Sequence, residues 1–151
     1  MRAERMRHDG RAVVGAQVDL AYNSLAFQAA CEAILDLVRS SNKYIDDLAP
    51  WTLFKQERHT ELAQVLYSVL ESARLAAYLL SPIVPKISTD IYRQLGLEID
   101  FDLICGRHST VNIDRFNLPS DWEHHRDWGI LRADTLLGEA KPIFTKLDLP
   151  S

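Results

Sequence analysis

The sequence predicts an all-α domain, a helical bundle closed by a loop-rich C-terminal tail, and two observations lead to that prediction. Apolar residues recur at steps of three and four along residues 19–48 and again along residues 60–80, which is the spacing of one face of a helix. Prolines at positions 50, 82 and 85 interrupt this pattern where one helix has to end and another begin. Two long helices joined by a short linker pack antiparallel, and a third, shorter helix is expected to cross them.

Composition narrows the class of protein. With 151 residues, 47% of them hydrophobic and 25% charged, the chain can form one domain with its own core and is not of a disordered or low-complexity type. The formal net charge of −4 argues against a broad basic surface for nucleic acid, although it is compatible with recognition of a few unstacked bases. Any RNA-binding area is therefore expected to be small.

Features that report on compartment predict a cytoplasmic protein. No apolar run reaches the ~18 residues of a membrane-spanning helix, and the N-terminal segment lacks the apolar centre of a secretory signal, so no membrane association is expected. The two cysteines, Cys31 and Cys105, are expected to be reduced thiols, while the sequence leaves a disulfide between them open.

The first 17 residues differ from the rest. They contain four arginines interrupted by Gly10 and Gly15, and no helical stripe is visible before Val18. Chain termini are usually disordered unless they are tied down, so residues 1–17 are expected to be a disordered or atypical leader. Residues 18–151 then form the folded domain. The alternative is a basic arm that contacts phosphate.

The first long helix carries one continuous apolar face. Its members are Phe27, Ala30, Ile34, Leu37, Ser41, Ile45 and Leu48. The helix should end at Ala49, because the residue before a proline disfavours the α conformation, and Pro50 suits the first position of a new helix. Trp51 then lies at a corner between helices. From the residues alone, it is either a core side chain, as tryptophans usually are, or a flat ring presented to a partner.

The second long helix is predicted to begin after Thr60, a suitable N-cap, and to run to about Leu80. Its apolar face comprises Leu62, Val65, Leu66, Val69, Ala73, Ala76 and Leu80. Glu71 and Arg74, three residues apart, are expected to pair on the polar side of this helix.

A third helix follows and starts at either Pro82 or Pro85, which the sequence does not decide. Gly96 is predicted to end it as a C-terminal glycine. Residues 97–127 have no sustained period and predict a connection, after which Trp128 is expected to pack on the bundle. Two adjacent histidines in the connection lack cysteine or carboxylate partners at ligand spacing, so they are expected to be solvated and no metal site is predicted. They are His124 and His125.

Seven residues around the corner carry a resemblance to a known family. They are Asn42, Tyr44, Ile45, Asp46, Pro50, Trp51 and Lys55. Their spacing resembles the Asn-x-Tyr-Ile-Asp/Glu…Pro-Trp…Lys motif of the anticodon-binding domain of methionyl-tRNA synthetase, a class I aminoacyl-tRNA synthetase. The double-proline segment and the closing Trp, Gly and Pro-x-Phe resemble the same family, so the likeness covers roughly residues 20–147.

The resemblance implies a function and a site. It implies that Trp51 stacks on the first base of a tRNA anticodon and that Pro50 fixes the approach. Asn42, Tyr44 and Asp46 would support the corner by holding the helix end. The implied partner is the anticodon loop of tRNA, in an enzyme that attaches methionine to its tRNA in an ATP-dependent reaction.

Motifs that such an enzyme needs for catalysis are not found in the sequence. It contains no His-Ile-Gly-His-like or Lys-Met-Ser-Lys-Ser-like motif for ATP, no glycine-rich phosphate loop and no cysteine pair for zinc. This chain is therefore expected to bind without catalysing, with no catalytic residue and no cofactor of its own. ATP would belong to the full-length enzyme and to a separate or missing catalytic domain.

Three interpretations remain open at this stage. The first is an anticodon-binding domain of methionyl-tRNA synthetase, either detached or belonging to a longer chain. The second is the related domain of a valine, leucine, isoleucine or cysteine enzyme, and the third is a helical protein-interaction module that has lost RNA binding. Pro-Trp after Tyr-Ile-Asp favours methionine. The family's leading Asn-Leu-x-Asn-Arg-like helix, whose Asn and Arg help to read the anticodon, has no match in residues 1–17.

Overall fold

The computed structural model describes residues 2–99 and 122–143, with side chains from residue 13 onward. Within those ranges the chain is helical and contains no strand, which confirms the predicted all-α class. The helices are α1 (Arg2–Asn23), α2 (Phe27–Leu48), α3 (Pro50–Lys55), α4 (His59–Leu80), α5 (Pro85–Gln94) and α6 (Trp122–His125). Helix α4 lies at the centre, because it packs against α2, α3 and α5, while α1 packs on α2.

The predicted apolar face of α2 forms part of the core. Ala30, Ile34, Leu37 and Ser41 are buried on it, as the three- and four-residue spacing predicts. The buried cluster also draws on α1, α4, α5 and α6. Its other large members are Val18, Tyr22, Leu75, Tyr78, Leu79, Tyr92 and Trp122.

Ile34→Ala is expected to lower the free energy of unfolding by about 2–5 kcal/mol, the usual range for truncating a buried aliphatic side chain. Ile34 is fully buried in the middle of α2, so no solvent can fill the space that is left. Urea unfolding of the purified chain measures the loss. Leu35→Ala is the control, since Leu35 is 46% exposed and its truncation should cost less than about 1 kcal/mol. Equal losses for the two variants would contradict the burial of Ile34.

The predicted single helix over residues 19–48 is wrong, because the structure divides it in two. Helix α1 ends at Asn23, and Leu25 takes a left-handed conformation with φ 57°. The Ala26 N–H donates to the Ala21 carbonyl at 2.8 Å, and the Leu25 N–H donates to the Tyr22 carbonyl at 3.0 Å. These are the two bonds of a Schellman ending, a place that glycine usually takes. Neither glycine nor proline marks the break in the sequence.

The predicted absence of helix before Val18 also differs from the structure, where α1 begins at Arg2. Gly15 does not interrupt α1. Its lack of a side chain allows the backbone that follows α6 to lie close to α1. A Cβ on Gly15 would lie 2.3 Å from the carbonyl oxygen of Arg126, so only glycine fits. The preceding alanine, arginine, methionine and glutamate residues are good helix formers, which explains why the helix extends back from this contact. The contacts of the arginines at positions 2–11 lie outside the described side chains.

The ends of α4 and α5 refine two further predictions. Helix α4 begins at His59, one residue before the predicted cap at Thr60, and has no side-chain cap. Helix α5 begins at Pro85, which decides the alternative that the sequence left open. Gly96 ends it as predicted, with φ 73°, and the Leu97 N–H donates to the Tyr92 carbonyl at 2.9 Å.

Glu71 and Arg74 do not lie on a polar surface as predicted. Both side chains are almost completely buried, at 0% and 1% exposure, and their charged groups lie 2.8 Å apart. The Glu71 carboxylate accepts the backbone N–H groups of three consecutive tail residues at 2.8–3.0 Å. These are Gly129, Ile130 and Leu131. The predicted polar side of α4 is therefore the side that holds the tail.

Arg74 completes this attachment from the same helix. Its guanidinium donates to the carbonyl oxygens of His125 at 3.0 Å and Asp127 at 2.6 Å, and to the Tyr92 hydroxyl at 3.3 Å. Burial lowers the pKa of Arg74, but hydrogen bonds and charge interactions with Glu71 and Tyr92 outweigh it, so the pKa lies above its ordinary value. One buried ion pair thus fixes residues 125–131 against α4.

The tail predictions have mixed outcomes. Trp128 packs against the core as predicted. His124 is exposed, but His125 is not simply solvated as predicted, because its ring lies 5.6 Å from that of Tyr78. The reason is that Arg74 holds the His125 backbone against α4.

Other predictions are only partly covered by the described residues. Most of the predicted 97–127 connection lies outside them, as does Cys105, while Cys31 is a free thiol. None of the described helices combines the length and apolar character needed to span a bilayer.

Candidate nucleic-acid interface

The corner between α2 and α3 forms at Ala49, as the sequence predicts. Ala49 adopts φ 41° and ψ 68°, and its N–H donates to the Ile45 carbonyl at 2.9 Å, which closes α2. Pro50 is the first residue of α3, and the Thr52 N–H donates to the Ala49 carbonyl at 2.8 Å. A left-handed alanine costs about 1–2 kcal/mol, so the corner is a strained conformation that the surrounding packing maintains.

The far end of α3 is closed in a similar way. Glu57 has φ 56°, the Arg58 N–H donates to the Leu53 carbonyl at 3.0 Å, and the Glu57 N–H donates to the Phe54 carbonyl at 3.1 Å. Two of the three non-glycine residues with positive φ in the described ranges therefore flank this six-residue helix. Backbone strain of this kind concentrates at functional sites, and here it fixes the orientation of α3.

One face of α3 is buried and the other is open. Leu53 is 8% exposed and faces the bundle, whereas Trp51 and Phe54 are 54% and 65% exposed. Trp51 thus lies outside the buried core of the free protein, while its contact with a partner stays a prediction. Residues three apart on a helix are surface neighbours, so the two rings lie on one side of α3.

Lys55, at the end of α3, differs from other basic side chains. Ten lysine and arginine side chains are described, and nine of them pair with a carboxylate. Lys55 has no such partner among the described residues. A cation without an intramolecular partner remains available to a phosphate. It lies four residues after Trp51, on the same side of the helix.

The structure positions the three predicted supporting residues differently from one another. Asp46 is exposed one turn before the corner, and Tyr44 is half-buried. Asn42 is exposed two turns before the corner, at the edge of an apolar groove of about 510 Å³ between α2, α4, α5 and the tail. Neither Asn42 nor Asp46 forms a hydrogen bond to a described residue through its side chain. The bonds that close the corner come from the backbone.

Phe54 and the isolation of Lys55 were not predicted as site features. The sequence did contain a pattern that could have indicated Phe54. It follows Trp51 by three residues, which places both on one side of a helix, and it lies outside the apolar faces of the two long helices. No group of three histidine, cysteine, aspartate or glutamate side chains in the described ranges is arranged to hold a metal ion.

Comparison with known families shows which synthetase family the domain is related to. The sequence profile of the anticodon binding domain of methionyl tRNA ligase matches residues 12–103, which include α2, the corner and α3. The chain belongs to this family. The match favours methionine over the valine, leucine, isoleucine and cysteine enzymes, and it begins at residue 12, within α1.

Individual methionyl-tRNA ligases agree with the profile. The enzyme of Synechocystis sp. is 54% identical over 138 residues, covering 91% of this chain and 24% of that protein. The enzyme of Nostoc sp. is 48% identical over 135 residues, covering 89% and 23%. The chloroplastic/mitochondrial enzyme of Arabidopsis thaliana is 35% identical over 130 residues, covering 85% and 18%. The chain thus spans about a quarter of the length of its cyanobacterial relatives.

Proposed function

We propose that this anticodon-binding domain binds the anticodon loop of tRNA by stacking an unpaired base on Trp51. The observation that carries the proposal is the 54% exposure of Trp51 on a helix whose two ends are fixed by the backbone. Base stacking on an aromatic ring contributes about 1–3 kcal/mol and requires an uncovered ring face.

Pro50 and the residues before it have indirect roles in this proposal. Pro50 sets the direction in which α3 leaves α2, so it determines how the base approaches Trp51. The backbone hydrogen bonds on either side of Ala49 hold the end of α2 in this proposal, and Asn42, Tyr44 and Asp46 do not contact RNA. Because the formal net charge is −4, stacking and not charge supplies most of the affinity, and the RNA-binding area is small.

Catalysis belongs to another part of the protein in this proposal. The relatives are ligases about four times as long as this chain, and ATP binding and methionine transfer would be carried out by sequence that the chain does not contain. The domain itself contributes tRNA recognition, in the cytoplasm where tRNA is charged.

A titration tests the function directly. The purified chain is titrated with the anticodon stem-loop of the methionine tRNA and, as a control, with a stem-loop of the same stem and a scrambled loop. Tighter binding of the methionine loop is expected, because its unpaired bases carry the recognition. No binding of either loop would reject the proposal and favour a protein-interaction module that has lost RNA binding.

Lys55→Gln is expected to weaken stem-loop binding and to reduce the slope of log affinity against log salt by about 1, since it removes one phosphate contact. The loss should be similar for different loop sequences, because a phosphate contact carries no sequence information. Lys86→Gln is the matched control, as Lys86 is already paired with Asp90 at 2.7 Å. An unchanged salt slope in Lys55→Gln would exclude the phosphate contact.

A further inference from the structure

Phe54 is more exposed than Trp51, at 65% against 54%, and the proposed function does not use it. A single exposed apolar side chain is ordinary. Here, however, the two most exposed aromatic side chains among the large exposed residues lie on one six-residue helix, beside the unpaired Lys55. Two exposed rings beside a cation are complementary to a partner that has both flat apolar faces and negative charge.

The two rings do not cover each other. Neither Trp51 nor Phe54 forms a ring contact with a described aromatic side chain, so the faces of both remain available. The backbone that carries them is fixed, because Leu53 packs into the bundle and both ends of α3 are closed by backbone hydrogen bonds. Rigid rings lose little conformational freedom on binding, which favours them as contact surfaces.

The charge that α3 itself carries beside these rings is positive. Helix α3 contains no acidic residue and one cation, Lys55. Glu57 follows the helix and is exposed, while Glu61 is held by Arg58. The chain as a whole carries a formal net charge of −4, and the exposed carboxylates Asp46 and Glu57 lie before and after α3, so the charge that α3 offers a polyanion is the single cation of Lys55. A polyanion with exposed aromatic bases matches it better than an ordinary protein surface does.

We propose that Phe54 is a second stacking surface, which takes the unpaired base next to the one on Trp51. The phosphate that links the two nucleotides then lies near Lys55. Successive bases of single-stranded nucleic acid stack on separate aromatic side chains in this way in other binding proteins. The inference rests on the proposed function, since it requires the anticodon loop to bind at α3.

The test combines protein variants with stem-loops that lack one base. Phe54→Ala is expected to weaken binding of the intact loop by about 5- to 30-fold, the lower part of the range for stacking, because a phenyl ring is smaller than an indole. Phe54→Tyr, which keeps the ring, should bind like wild type. Leu136→Ala is the matched control, since Leu136 is 88% exposed and does not lie on α3. Circular dichroism of each variant verifies folding.

Loops with a single abasic nucleotide locate the contact. With a loop that lacks the base stacked on Phe54, the Phe54→Ala variant should bind as tightly as the wild-type chain binds that loop. With a loop that lacks the adjacent base, the same should hold for Trp51→Ala. An equal loss in Phe54→Ala with every abasic loop would overturn the inference, because the ring would not contact a base.

The remaining outcomes separate the two proposals. If Phe54→Ala binds the intact loop like wild type while Trp51→Ala binds it more weakly, Phe54 does not contact RNA. That result would overturn the inference and leave the proposed function intact. Failure of the wild-type chain to bind any loop would overturn both.

Discussion

Glu71→Ala is expected to lower the free energy of unfolding by about 3–5 kcal/mol, the range for breaking a buried ion pair by removing one partner. Arg74 would be left charged at 1% exposure, and three backbone N–H groups of the tail would lose their acceptor. Each buried donor left without a partner adds its own desolvation cost. Thermal or urea unfolding of the purified variant measures the change.

An exposed pair provides the control for this variant. Arg39 and Asp36 form an ion pair of the same i,i+3 spacing, but both side chains are more than 70% exposed. Asp36→Ala should therefore cost less than about 1 kcal/mol. Hydrogen exchange gives a second measurement, since the amides of residues 129–131 should lose protection first in Glu71→Ala. Equal losses for the two pairs, with the tail amides unaffected, would show that burial of Glu71 contributes nothing.

The contrast between these pairs shows which parts of the fold the sequence could predict. Apolar spacing located the buried face of α2, including Ile34, because that face depends on residues a few positions apart. The Glu71–Arg74 pair has the spacing of an ordinary surface pair, yet its partners lie 51–60 residues further along the chain. No local pattern reports that the tail covers this side of α4.

The same distinction applies to helix ends. Proline marked the break at Ala49, since the constraint acts on the neighbouring residue. The break at Leu25 was not predicted, because leucine there adopts a conformation that favours glycine. Gly15 was interpreted as an interruption of the helix, whereas it allows the backbone of Arg126 to approach α1 closely. A contact with a residue so far away in the sequence leaves no local pattern.

The candidate site divides in a similar manner. A motif with fixed spacing identified Pro50 and Trp51, and the structure brings them together at an exposed corner. Sequence reasoning could not show that Lys55 lacks a carboxylate partner among the described residues, because that depends on where each nearby carboxylate lies in space. Phe54 resembles an ordinary apolar residue until its exposure is known.

Trp51→Ala is expected to weaken binding of the anticodon stem-loop by about 5- to 150-fold, which corresponds to the loss of one stacking contact. It should lower the free energy of unfolding by less than about 1 kcal/mol, because the exposed face of the ring buries nothing in the free protein. A core tryptophan would show the reverse pattern, with about 3–5 kcal/mol of stability lost. The salt dependence of binding should stay shallow in both proteins, since Lys55 alone of the ten described lysine and arginine side chains lacks a carboxylate partner.

Trp122 supplies the matched control, because it is a tryptophan of the same chain in the opposite environment. It is 4% exposed, stacks on Tyr78 with ring centroids 5.6 Å apart, and donates its indole N–H to Asp19 at 2.9 Å. Trp122→Ala should therefore reduce stability by about 3–5 kcal/mol. Binding and unfolding are measured on the same sample of each variant, so that a loss of affinity through unfolding is recognised. If folded Trp51→Ala binds the stem-loop as tightly as wild type, the ring is not a stacking surface; if its stability falls as far as that of Trp122→Ala, the ring belongs to the core.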